Sequence, residues 1–188
     1  TILDTLVDIL ASAVGSLTNP TKLADTFNSH GIKTNKNTIA AYIDYLKDAF
    51  IISMAKRYDI KGKKYIGSPY KFYFTDVGLR NARLNFRQQE QTHILENIIY
   101  NELLVRGFNV DVGVVEYRKR DGNGKIVETR AEVDFVCNKG SRRYYIQSAF
   151  AIPDKEKMEQ EQSSFDRIDD SFKKIIVLQQ RTKPWRNE

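Results

Sequence analysis

Two turn signals in the second half of the chain constrain its fold more than any other feature. DGNGK (121–125) and NKGSR (138–142) each gather the residues that favour tight reversals. They cut the stretch from Asn109 to Phe150 into three runs, NVDVGVVEYRK, IVETRAEVDFVC and RYYIQSAF, all rich in β-branched and aromatic residues. Reversals this short can only join antiparallel neighbours, so the three runs predict a meander. THILENIIYNELLVRGF before it predicts a long helix, with Ile94, Ile98 and Leu103 or Leu104 inward and Gly107 as the stop. DKEKMEQEQSSFDRI after it predicts a polar helix. KKIIVLQQ, almost continuously apolar, predicts a buried strand. The order is αβββαβ.

The first half reads differently. ILDTLVDILASAVG carries Ile2, Leu6, Ile9, Leu10 and Ala13 at nearly helical spacing and ends at Gly15. In TNPTKLADTFNSHG, Asn19 can cap, Pro20 suits the first turn and Gly31 marks the exit. A third helix follows, with Thr34 or Asn35 as cap and Ile39, Ile43, Leu46 and Phe50 as its buried stripe. FIISMAKRYD and YKFYFTD predict two strands flanking a basic loop, IKGKKYIGSP. Three helices and a basic hairpin form a winged helix-turn-helix pattern. The polar stretch NARLNFRQQEQ then places a boundary near residue 88, giving a winged-helix domain over 1–87 and an α/β (α+β) domain over 88–188.

Charge follows the same division. Residues 1–90 carry 13 Lys and Arg against 8 Asp and Glu, net +5, whereas residues 91–188 carry 17 against 16, net +1. An excess of positive charge on the first half suits a polyanion partner. No apolar run reaches the roughly 18 residues of a membrane span. The single cysteine, Cys137, excludes an internal disulfide framework and suits a reducing compartment such as the cytoplasm. Its apolar strand predicts a buried, inert thiol.

In a helix-turn-helix the second helix presents its first residues to base edges. Here these are Asn35, Lys36, Asn37 and Thr38, with Ala41 and Tyr45 further along the outward face. Asn can pair with adenine, and Lys with guanine or phosphate. The wing offers Lys56, Arg57, Lys61, Lys63, Lys64 and Lys71, interleaved with tyrosines, for phosphate contact. The expected partner is double-stranded DNA, although winged helices also serve as protein-docking modules.

The αβββαβ half follows the order of restriction-endonuclease-like enzymes, which group carboxylates around Mg²⁺ so that the ion polarises phosphate and activates water. Glu96 lies on the helix, Asp134 on the second strand, and Gln147 and Ala149 at the Glu-x-Lys positions of the third. Gln147 is neutral and Ala149 has no amine. Glu132 is expected to face away from Asp134, which leaves Asp134 as the one well-placed anionic ligand. The set is therefore expected to be degenerate and to hold no metal. There is no P-loop and no G-x-G-x-x-G, and His30 and His93 are isolated.

KFYFTDVGLRNA, ILENIIYNELLVRGFNVDV and EVDFVC…YYIQSAF together resemble the C-terminal region of a large group of bacterial and archaeal AAA-type ATPases, over about residues 1–178. The resemblance implies a P-loop ATPase domain preceding a winged helix and a restriction-endonuclease-like domain of unknown function. ATP and Mg²⁺ are implied only for that ATPase domain, so no cofactor is expected within these residues. The expectation is a C-terminal, DNA-binding or regulatory module without an intact nuclease site, with DNA, the ATPase domain of its own chain and a protein partner as possible contacts. The alternatives are a free-standing DNA-binding regulator, a metal-dependent nuclease with an unusual site, and a protein-docking module.

Overall fold

Capping side chains set the helices of the first half. Helix α1 (Ile2–Ser12) opens with a capping box between Thr1 and Asp4. Helix α2 (Pro20–Ser29) is capped by Asn19, with Pro20 in its first turn. Helix α3 (Lys36–Asp48) is capped by Asn35, whose Oδ1 accepts from the backbone N–H groups of Asn37 and Thr38 at 2.9 and 3.0 Å. Leu6, Leu10, Leu23, Phe27, Ile39, Ile43 and Leu46 close one core against Ile52, Phe72 and Phe74 of the following strands. Phe50 does not join it. The helix stops at Asp48, and Phe50 takes a positive φ of 56° that leaves the ring 81% exposed.

The computed structural model describes residues 1–87, 90–151 and 155–179. Its architecture is mixed α/β, with one six-stranded sheet. The strands are β1 (Ile52–Asp59), β2 (Lys64–Phe74), β3 (Asn109–Arg120), β4 (Ile126–Lys139), β5 (Arg142–Ala149) and β6 (Lys173–Leu178). They lie in the order β2-β1-β3-β4-β5-β6. The pairs β1/β2, β3/β4 and β4/β5 are antiparallel, and β1/β3 and β5/β6 are parallel. Helices α4 (Val77–Arg83), α5 (Gln91–Val105) and α6 (Lys155–Gln162) complete the α elements among the described residues. Of the expected segments, Gln88, Gln89, Asp154 and Gln180 lie outside the described residues.

Several expectations change. KKIIVLQQ, expected to be a buried strand, forms the edge strand β6, in which no side chain is fully buried and Ile175 is exposed. The basic loop over 60–69 is mostly strand, because β2 already begins at Lys64. Gly67, Ser68 and Pro69 read as a loop, but β2 is an edge strand, where proline can be accommodated. The polar stretch NARLNFRQQEQ begins inside a helix, Val77–Arg83. Asp76 caps α4, whose Arg80, 2% exposed, donates from Nε to the Ala11 carbonyl at 2.9 Å. Arg83 Nε reaches Asp8 Oδ1 at 2.8 Å. Finally, α5 buries Glu96, Asn97, Ile99, Tyr100 and Leu103, while Ile98 is 50% and Leu104 38% exposed. The inward face was misplaced because it carries two polar residues that hydropathy assigns to solvent.

The boundary expected near residue 88 falls between α4 and α5, yet the sheet runs across it. β1 pairs with β3 through Arg57–Val112, Tyr58–Gly113 and Asp59–Val114. A second core likewise mixes Val14, Ala55 and Tyr73 with Ile99, Tyr100, Val112 and Phe135. Gly113 makes this junction possible. A Cβ there would stand 2.9 Å from Ile60, Val133 and Val136 side chains, so only glycine fits without displacement.

Candidate functional site

The face of the sheet under α5 gathers the charged groups. Lys71, in the middle of β2, points inward with its side chain only 5% exposed. Its Nζ lies 3.0 Å from Glu96 Oε1 and 2.6 Å from Glu132 Oε1. The Tyr73 hydroxyl donates to the same Glu96 oxygen at 2.6 Å. From the α1 side, Gly15, at φ +71°, brings its backbone so close that a Cβ would sit 3.3 Å from Glu96 Oε1. Strand β2 and the turn at Gly15 thus converge on one buried carboxylate of α5.

Asp134 stands beside this cluster, 8% exposed. Its Oδ2 accepts from the Ser148 N–H and from the Ser148 hydroxyl, both at 2.7 Å. Its Oδ1 and backbone N–H meet the Gln147 amide at 3.3 Å. Ser148 was not foreseen as a partner. Ala149 is buried and supplies no polar group. Glu132 requires a correction: it does not face away from Asp134. Residues two apart on a strand share a face, and both carboxylates act electrostatically on Lys71. A bulge follows directly. The β3–β4 register steps from Gly113–Val133 to Asp111–Val136. Two residues, Asp134 and Phe135, thereby oppose one on β3.

The electrostatics follow from this crowding. Burial opposes the charge on Lys71, but Glu96, Glu132 and Asp134 outweigh it and hold the ammonium above its ordinary pKa. Burial and then the Glu96 carboxylate push Asp134 up to about 7, against the pull of Lys71 and the two Ser148 donors. Burial, reinforced by Glu96, raises Tyr73 well above a normal phenol. The cluster therefore carries its own cation. Hard divalent ions need several unencumbered oxygens, and among the described residues no three Asp, Glu, His or Cys side chains are grouped as a metal would require. Cys137 is fully buried, and burial pushes its thiol up to about 12.

Asn97 and Asn101 continue the docking of α5 on β2. Asn97 Oδ1 accepts from Phe74 N–H at 2.9 Å, and its Nδ2 donates to the Phe74 carbonyl at 2.8 Å. Asn101 Nδ2 donates to the same carbonyl at 2.9 Å. The Asn97 side chain thus satisfies both backbone groups of Phe74, as a neighbouring strand would.

The residues expected at a nucleic-acid surface divide. Lys36 and Asn37 are exposed at the start of α3, and Thr38 is half-buried. The Asn35 oxygen is committed to its cap, leaving its NH₂ for any outside contact. Lys61, Lys63 and Lys64 are exposed around the β1–β2 turn. Two wing cations are withdrawn: Lys71 is buried in the carboxylate cluster, and Arg57 is 8% exposed. Strand alternation turns both under α5, which the reading of the hairpin as a free wing did not anticipate.

Comparison with known proteins adds length but little chemistry. Residues 1–90 match a domain of unknown function, DUF8612. An uncharacterized protein of Haemophilus influenzae is 35% identical over 176 residues, covering 94% of this chain and 40% of that protein. An uncharacterized protein of Methanocaldococcus jannaschii, MJ1544, is 29% identical over 118 residues, covering 62% of this chain and 26% of that protein. The chain thus spans less than half the length of these curated relatives. No solved structure matches.

Proposed function

We propose that this chain is a non-catalytic, DNA-binding or regulatory module of a longer AAA-type ATPase. In this reading residues 1–87 are a winged helix-turn-helix, and residues 88–188 are a restriction-endonuclease-like domain whose catalytic set has degenerated. One observation carries the non-catalytic part: Lys71 Nζ is seated between Glu96 and Glu132, 3.0 and 2.6 Å away, where a hydrolytic site would need a metal. A tethered ammonium neutralises carboxylates, but it cannot polarise a phosphoryl oxygen as a divalent ion does or lower the pKa of a bound water. The DNA-binding part is supported by the exposed Lys36 and Asn37 at the start of α3 and by Lys61, Lys63 and Lys64 at the hairpin turn. The ATPase context is supported by the sequence resemblance and by the greater length of the relatives.

Fluorescence anisotropy with a labelled DNA duplex tests the binding. Wild type is expected to bind with strong salt dependence. Lys61→Ala, Lys63→Ala and Lys64→Ala combined should weaken binding and flatten that dependence, and Asn37→Ala should alter sequence preference more than affinity. No duplex binding by wild type at low salt would refute the DNA-binding reading.

A further inference from the structure

A cleft of about 330 Å³ opens on the sheet face opposite α5, walled by Tyr58, Lys63, Asn138, Arg142, Arg143 and Phe172. Its walls come from both halves of the chain. Arg143 is fixed within it. Its guanidinium carbon lies 5.1 Å from the Tyr58 ring centroid and 5.5 Å from that of Phe172, and its Nε donates to Asn138 Oδ1 at 2.7 Å. Cations without an ion pair among the described residues are common on the surface, and here they gather on two adjoining turns. Arg83, Arg106, Arg118 and Arg130 each have a carboxylate within 3.4 Å. Lys61, Lys63, Lys64, Arg142 and Arg143 form no ion pair among the described residues. Two carboxylates stand near Arg143 and both are engaged: Asp170 by the Tyr145 hydroxyl at 2.5 Å, and Asp111, within electrostatic reach of Arg143, by the Tyr65 hydroxyl at 3.1 Å. Unpaired cations on two adjoining turns, one of them pre-positioned by stacked rings, form a surface complementary to a row of phosphates.

We propose that this cleft is a phosphate-contacting part of the nucleic-acid surface, so that the DNA backbone runs from the β1–β2 turn onto the β4–β5 turn rather than along the hairpin and α3 alone. The inference rests on the DNA-binding reading and extends it to Arg142 and Arg143, which lie in the half of nearly balanced charge. Each cation contacting a phosphate contributes about one to the slope of log K against log salt.

The test compares the 188-residue chain with the double variant Lys63→Ala/Arg142→Ala and with Lys125→Ala at the distant β3–β4 turn, by anisotropy of a labelled 20-base-pair duplex. Poly-glutamate serves as a second probe. The double variant is expected to bind at least about tenfold more weakly at low salt, with its slope reduced by about two, while Lys125→Ala binds as wild type does. Equal binding by the double variant and wild type overturns this inference and leaves the DNA-binding reading standing. Loss of duplex binding in wild type itself overturns both. Poly-glutamate bound as tightly as the duplex overturns the assignment to nucleic acid.

Discussion

Replacing Lys71 by methionine removes the cation but keeps the length of the stem. Glu96, with a side chain 10% exposed, then has no counter-charge and cannot reach water, whereas Glu132 at 37% can be rehydrated. The cost is therefore that of one stranded buried carboxylate, about 3–5 kcal/mol. That is a large share of the roughly 5–15 kcal/mol by which domains are stable. For a urea slope of about 2–3 kcal/mol/M, the midpoint should fall by about 1–2.5 M. Adding Glu96→Gln should restore more than half of the loss, because glutamine is neutral and still accepts from the Tyr73 hydroxyl. A midpoint shift below about 0.3 M for Lys71→Met would refute the idea that this ammonium balances the cluster.

Other outcomes can be checked in the same way. Asn97→Ala strands the Phe74 N–H and should cost about 1–3 kcal/mol in urea unfolding. Gly113→Ala forces a Cβ within 2.9 Å of three side chains and should cost about 1–3 kcal/mol, lowering the midpoint of thermal unfolding. Asp134 titrates at about 7 in the fold against about 3.9 when unfolded, so the native state holds the extra proton between these values. Its contribution to stability is present below about pH 4 and is lost as pH rises through about 7. Urea midpoints of Asp134→Asn should therefore fall less steeply across pH 4–7 than those of wild type. A fragment beginning at residue 90 lacks β1, Lys71 and Tyr73 and should be far less folded by circular dichroism than the same residues within the whole chain.

The elements were legible where local chemistry decides them. Asn19 and Asn35 announce their helices, and DGNGK and NKGSR announce the meander. The candidate site was legible only on one side. Glu96 and Asp134 could be placed from the order of elements, but Lys71 could not. It lies 25 residues before Glu96 in a strand whose alternation was read as that of an exposed wing, and only the β1–β3 pairing turns it under α5. Glu132 lies two residues before Asp134 and so shares its face, contrary to expectation. Asn97 and Asn101 carried no hydropathy signal, because their burial depends on Phe74 offering an unpaired backbone edge. Long-range pairing, invisible to any local window, supplies Lys71, Asn97 and Asn101.

The central claim is that a lysine of the chain itself occupies the carboxylate cluster and leaves no hydrolytic metal site. Plasmid nicking by the purified protein in millimolar Mg²⁺ or Mn²⁺ tests it most directly. The account predicts no nicking above a buffer control with either ion. Metal-dependent nicking that disappears in Asp134→Ala would contradict it.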